Sequence, residues 1–263
     1  DSRCRTRVPL GMIMGLWRSF EALTSPAAVL TEWRTHLGAD FEFASRFLRP
    51  ADTRAETYPC TRFPPCGCRH ELRGGEDGRL VAVCFCEHCL CPPIELRPED
   101  SVVFELDVPR LAQTIGRALG FAEGRCGPVP GTSGSWFCGA CSPWNQPVVF
   151  SIPNTKDGLL RQTAELLVVL PASFVLLTPT SAMLIPQSES MLQRHGVLHL
   201  PLNRHLEIVG REIQVMAPIR PLVDAFIPLV GVRDIVTRSD APVEGGRKST
   251  RLNSSHLVIS YAV

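Results

Sequence analysis

VVFSIPNTKDGLLRQTAELLVVLPASFVLLTPTS, residues 148–181, decides the fold. VVFSI, residues 148–152, reads as a strand. Lys156 to Leu170 reads as a helix, with Leu159, Leu160, Thr163, Leu166, Leu167 and Leu170 inward and Pro171 ending it. SFVLLT, residues 173–178, is a continuous apolar run, the pattern of a parallel strand covered on both faces. Residues 183–195 read as a second helix and GVLHLP, residues 196–201, as a third strand. The order β-α-β-α-β predicts a small parallel sheet with right-handed crossovers. HLEIVGREIQVM, residues 205–216, adds two short strands around Gly210. This α/β unit is placed at residues 148–225.

Upstream, residues 126–147 are rich in Gly, Pro and Ser and read as a linker loop. VVFELD, residues 102–107, reads as a strand. A helix follows with Leu111, Ile115 and Leu119 on one face and Gly120 at its end. Residues 14–49 read as helices. Leu16, Phe20 and Leu23 share a helical face. Ser25 is placed as the N-cap of a second helix, with Pro26 at its first position and Val29, Leu30, Trp33 and Leu37 inward. Gly38 is suited to end that helix, and a short third one carries Phe41, Phe43, Phe47 and Leu48. The fold class is therefore α+β. N-terminal helices and a cysteine-rich metal module fill residues 12–125, and the parallel unit follows the linker.

The ends are set aside. Lys248 to His256, KSTRLNSSH, back-translate to a common sequencing adapter, and Ile259 to Val263, ISYAV, continue it after two arbitrary residues. Residues 247–263 thus resemble translated adapter read-through, and the natural chain is expected to continue differently. Residues 1–11 read as untranslated or disordered, with Met12 or Met14 as a start; residues 226–246 read as irregular. Without Arg247, Lys248 and Arg251 at one end and Asp1, Arg3, Arg5 and Arg7 at the other, the formal charge falls from +1 to −4. Such a chain has no global electrostatic pull on phosphates. Hydrophobic residues at 44 % are enough for a buried core. No run reaches ~18 apolar residues, so no spanning helix is expected, and no secretory signal stands out. The chain reads as cytoplasmic, with no membrane partner.

Seven of the eleven cysteines fall within residues 60–91. Cys60, Cys66 and Cys68 precede His70; Cys84, Cys86, Cys89 and Cys91 follow, with His88 among them. Between the two groups, Arg69–Leu72 and Leu80–Phe85 read as the strands of a β-hairpin around the RGGEDG turn at residues 73–78. Tetrahedral zinc needs four donors from short loops, and the hairpin brings two donor groups together. Residues i and i+2 of a strand share a face, so Cys66 with Cys68, and Cys84 with Cys86, point alike. Structural zinc, one ion or two, is the leading reading; an iron–sulfur cluster and disulfides are the alternatives. Cys60, Cys68, Cys86 and Cys91 head the ligand candidates, followed by Cys66, Cys84, Cys89 and His70. A thiolate-dominated set favours a closed site without an activated water.

The strings Pro65-Cys66-Gly67-Cys68-Arg69-His70 and Val81 to Cys86, together with Cys60, Cys91 before Ile94 and Leu96, and FVLLTPTS at 174–181, resemble a family of uncharacterised bacterial cysteine-rich proteins. The resemblance covers roughly residues 50–225; Cys89 and the two prolines after Cys91 depart from it. Some members continue into a helix-turn-helix of the sigma-factor type, which implies DNA as a partner through a segment beyond this sequence. The expected function is a zinc-binding, non-enzymatic regulatory or interaction protein. The alternative is an enzyme whose α/β unit binds a phosphorylated or anionic ligand at backbone N–H groups near Thr178–Ser181. Cys138-x-x-Cys141 has redox spacing in an unsuitable loop context, and His195, His199 and His205 lack helical spacing for a metal. No Walker loop, G-x-G-x-x-G or G-x-S-x-G is present, and no catalytic residue is assigned.

Overall fold

The computed structural model describes residues 15–23, 27–61, 68–75, 79–86, 91–142, 145–170 and 173–226. The described residues begin with helix α1 (Leu16–Ala22), strand β1 (Ala27–Val29), helices α2 (Leu30–Leu37) and α3 (Phe41–Ala44), and strand β2 (Leu48–Arg54). The cysteine-rich stretch holds β3 (Thr57–Pro59), β4 (Arg69–Gly74), β5 (Leu80–Val83) and β6 (Ile94–Leu96). β7 (Val102–Leu106) and α4 (Val108–Ala118) lead to β8 (Ala122–Pro128), β9 (Ser135–Cys141) and β10 (Gln146–Ser151). Then come α5 (Lys156–Val169), β11 (Val175–Thr178), α6 (Pro186–Arg194), β12 (Leu198–Pro201), and the hairpin β13 (Leu206–Val209) and β14 (Glu212–Val215). Residues 220–226 are helical. This is a mixed α+β architecture.

The largest sheet has the order β12-β11-β10-β9-β8. β10, β11 and β12 run parallel, and β9 and β8 add antiparallel strands. The apolar run of β11 is divided between two faces. Val175 and Leu177 enter one hydrophobic cluster with Leu16, Trp17, Phe20, Leu111 and Ile115. Phe174 and Leu176 enter the other with Leu159 and Leu166 of α5 and Leu192 of α6. β10 does the same, with Val148 and Phe150 on the first face and Val149 on the second. Period-2 side chains between two helical layers explain why neither strand shows polar alternation. Thr155 caps α5 by accepting from the Gly158 N–H at 2.9 Å. Asp107 likewise caps α4, accepting from Arg110 N–H at 3.1 Å.

Residues 126–147 are not the expected linker. The end of β8, all of β9 and the start of β10 fall in that stretch, and β9 lies inside the large sheet with nearly every residue buried. The glycines that suggest a loop permit close packing instead. A Cβ on Gly139, at φ +134°, would lie 2.6 Å from the Ala122 carbonyl oxygen, and one on Gly116 of α4 would collide with the Cys138 carbonyl. The second helix also starts later than its sequence suggests. Ser25 and Pro26 lie outside the described residues, and Ala27–Val29 pair with β7 as a strand, Val29 opposite Val103. Leu48 opens β2 against Leu106 and is not part of a third helix. Gly38, at φ +54°, ends α2. Residues 1–11, 227–246 and 247–263 lie outside the described residues, and with them the readings made of the two ends.

Candidate metal centre

The four-stranded sheet β3-β4-β5-β6 is antiparallel throughout. Thr57, Tyr58 and Pro59 of β3 lie opposite Glu71, His70 and Arg69 of β4. The ladder runs one step further, where the Cys60 N–H donates to the Cys68 carbonyl at 3.1 Å. That register carries Cys60 to the end of β3 beside the His70 pair. Cys91 arrives from the segment that leads into β6, whose Ile94 pairs with Ala82 of β5. Three separate pieces of chain therefore deliver one donor each.

The donor atoms of Cys60, His70 and Cys91 all lie within 4.8 Å of one another, so the group could hold a metal ion. The two sulfurs are 3.7 Å apart. Two thiolates at ~2.3 Å from a tetrahedral centre would be about 3.8 Å apart, whereas a disulfide needs about 2.05 Å. None of the described cysteines is in a disulfide. His70 is fully buried at 0 % exposure, and neither ring nitrogen has a hydrogen-bond partner. A buried polar atom left unpartnered costs ~1–3 kcal/mol, and a ligated imidazole nitrogen removes one such deficit. Cys91 is buried and Cys60 half-buried.

The sheet offers little else to hold this arrangement. Among the described residues its own apolar cluster consists of Val29, Tyr58 and Ala82, with Ala55, Leu72, Ile94 and Leu96 packed against it. It is tied to α2 by polar contacts. The Tyr58 and Thr31 hydroxyls are 2.6 Å apart, and Arg69 donates to both Glu32 carboxylate oxygens at 2.9 and 3.2 Å.

The other candidates are distributed around this group. Cys68 is buried two residues before His70, on the same face by the strand's pleat. Cys84 and Cys86 are half-buried beyond the end of β5. Among the described residues none of these three joins the close group of donors. Cys66 and Cys89 lie outside the described residues, as does His88.

The large sheet has cysteines of a different kind. Cys138 and Cys141 belong to β9, not to a loop before a helix. Burial raises the Cys138 thiol pKa well above its ordinary value and pushes that of Cys141 up to about 11. Both favour the neutral thiol, the opposite of the lowered pKa that redox and nucleophilic cysteines need.

In the Thr178–Ser181 turn, the Thr180 N–H and hydroxyl are taken by a carboxyl group of the chain itself. The Glu21 carboxylate accepts from the Thr180 N–H at 2.9 Å and from the Thr180 hydroxyl at 2.6 Å. Glu21 is 4 % exposed, and burial raises its pKa against the opposing hydrogen bonds. Beside it, the Thr178 hydroxyl lies 2.8 Å from His199 Nε2, and burial, with a smaller effect of Arg204, lowers the His199 pKa to about 4. Sequence reasoning missed Glu21 altogether. Its partner is 159 residues away, and no local pattern marks the pair.

Comparison with protein-family models, curated proteins and solved structures gives no match. No helix among the described residues is long and apolar enough to cross a membrane.

Proposed function

We propose that this chain is a zinc-binding, non-enzymatic regulatory or interaction protein, in which the metal shapes the small sheet. The carrying observation is the Cys60–Cys91 sulfur pair, 3.7 Å apart beside a fully buried imidazole with unpartnered nitrogens. Two thiolates and one imidazole are a zinc donor set, and a fourth thiolate would close it. Cys68 supports the fourth place best, because it shares the face of His70 and is buried. Zinc would then act as a staple for a sheet whose apolar cluster is too small to fold alone. A structural role also agrees with the buried position of two of the three donors. The regulatory part of the reading leans on the resemblance to the cysteine-rich family, some of whose members continue into a helix-turn-helix that points to DNA as the partner class.

Elemental analysis of the purified full chain tests the reading. It should give one zinc per chain, falling to a small fraction in His70→Ala and in the Cys60→Ser/Cys91→Ser double variant. A chain that carries neither zinc nor iron and has its thiols paired as disulfides would overturn it.

A further inference from the structure

We propose that Cys60 and Cys91 form a peroxide-sensitive release pair: oxidation joins them as a disulfide and expels the metal. The proposal rests on the reading that these residues, with His70, hold zinc. Its own support is the asymmetry and closeness of the two sulfurs. Cys60 is half-buried and reachable from solvent, whereas Cys91 is 7 % exposed and lies 3.7 Å behind it. Disulfide bonding requires that separation to close to about 2.05 Å, a movement of less than about two ångströms. An exposed thiolate attacked first and a near neighbour that resolves it are the two parts of a reversible thiol switch.

The chemistry balances with hydrogen peroxide as the two-electron oxidant. The Cys60 thiolate attacks one peroxide oxygen, an S–O bond forms, the O–O bond breaks and hydroxide leaves. The Cys91 thiolate then attacks the Cys60 sulfur. The S–S bond forms, the S–O bond breaks and a second hydroxide leaves. Two thiolates are oxidised by one electron each, and the peroxide is reduced to two hydroxides. A disulfide sulfur is a poor zinc ligand, because the thiolate and not the oxidised sulfur supplies the donor charge. Zinc is left with His70 as its remaining donor from the close group, and it departs. A thiol reductant reverses the bond and restores the donors.

The rest of the molecule supplies internal controls. Cys141 is buried in β9 and should remain a thiol, whereas Cys138, also buried there, lies opposite Cys126 of β8 and is no control. Cys126 is exposed on β8 and can be oxidised without touching the metal, so Cys126→Ser should release zinc as the parent chain does.

The test uses the full chain loaded with zinc. Metal content is measured first. Hydrogen peroxide is then added, free zinc is followed with a chromogenic chelator, and disulfides are mapped by mass spectrometry without reduction. The expected result is loss of bound zinc, one ion for each Cys60–Cys91 link, with rebinding after dithiothreitol and zinc are supplied. Absence of zinc at the first measurement overturns the metal reading and this proposal with it. Zinc present at first but retained under peroxide, or released with Cys60 and Cys91 unlinked, overturns the release pair alone.

Discussion

The four-stranded sheet around His70 and the five-stranded sheet around Phe150 hold together by different means. The large sheet is covered on both faces, and Val148, Val149, Phe150, Val175, Leu176 and Leu177 are fully buried between its two clusters. Each such side chain contributes roughly 1.5–3 kcal/mol by leaving water. The small sheet contributes two buried apolar residues, Tyr58 and Ala82, to a cluster with Val29 of β1, among the described residues, and groups two cysteines and a histidine beside them. Their cysteines differ accordingly. In the large sheet Cys138 and Cys141 behave as small apolar side chains, with thiols that resist ionisation. At the small sheet the Cys60 and Cys91 sulfurs lie 3.7 Å apart in a group that could hold a metal ion. The same residue type is packing in one place and part of a group that could hold a metal ion in the other, and the neighbours decide which: apolar side chains around Cys138, a second thiol and an imidazole beside Cys60.

The contrast breaks most visibly on metal removal. Structural zinc contributes on the order of 10 kcal/mol to small metal-dependent folds. Chelation should therefore abolish amide-exchange protection in β3 to β6 while β9 to β12 stay protected; equal loss in both sheets, measured by hydrogen exchange with mass spectrometry, would remove the distinction. A core truncation should act the other way round. Phe150→Ala should cost about 3–5 kcal/mol in denaturant unfolding and leave the zinc content of the chain unchanged.

Proton linkage sharpens the comparison further, because Glu21 and His199, two groups whose pKa burial shifts, belong to the large sheet's surroundings. For His199 the folded value, about 4, is below the ordinary 6.5. The unfolded chain therefore binds more protons between those values, and stability rises with pH across that window. His199→Gln should flatten that rise, an effect of ~3 kcal/mol across the window. Glu21 has the opposite sign. Its raised folded pKa means stability that is present below the ordinary carboxylate value of 4.5 and lost as pH rises through the folded value. Glu21→Gln should remove that loss, and urea titrations at stepped pH would read both. The smallest effect belongs to the surface. The exposed Arg117–Glu123 pair, 3.3 Å apart, should give a coupling below ~1 kcal/mol in a double-mutant cycle.

The parallel unit was legible in the sequence because its information is local. Leu159, Thr163 and Leu166 mark α5 by period, and SFVLLT marks β11 by its lack of alternation. The hairpin of β4 and β5 was legible for the same reason, from two short apolar-polar runs around a glycine-rich turn. β9 was not, because SGSWFCGAC carries the glycines of a loop. Its strand is set by neighbours on both sides, which a single stretch of sequence does not display. At the candidate site, clustering gave the donor types but not their grouping. Which cysteine meets His70 depends on the β3–β4 register and on the approach of Cys91 to β6, and the spacing C-x5-C-x-C carries neither.

The Glu21–Thr180 contact has a consequence for the order of assembly on the ribosome. Trp17, on the same short helix, donates its ring N–H to the Leu206 carbonyl, 189 residues later. A helix synthesised early thus has, besides near partners at His36 and Asp40, others that emerge much later. At about 5–20 residues per second the wait is roughly 10–40 s. For that time the apolar face of Leu16, Trp17 and Phe20 is without its final cover. Until then those three side chains share only the cover of Trp33, Leu37 and Phe43, a cluster small enough for a chaperone that shields short apolar helices to compete for.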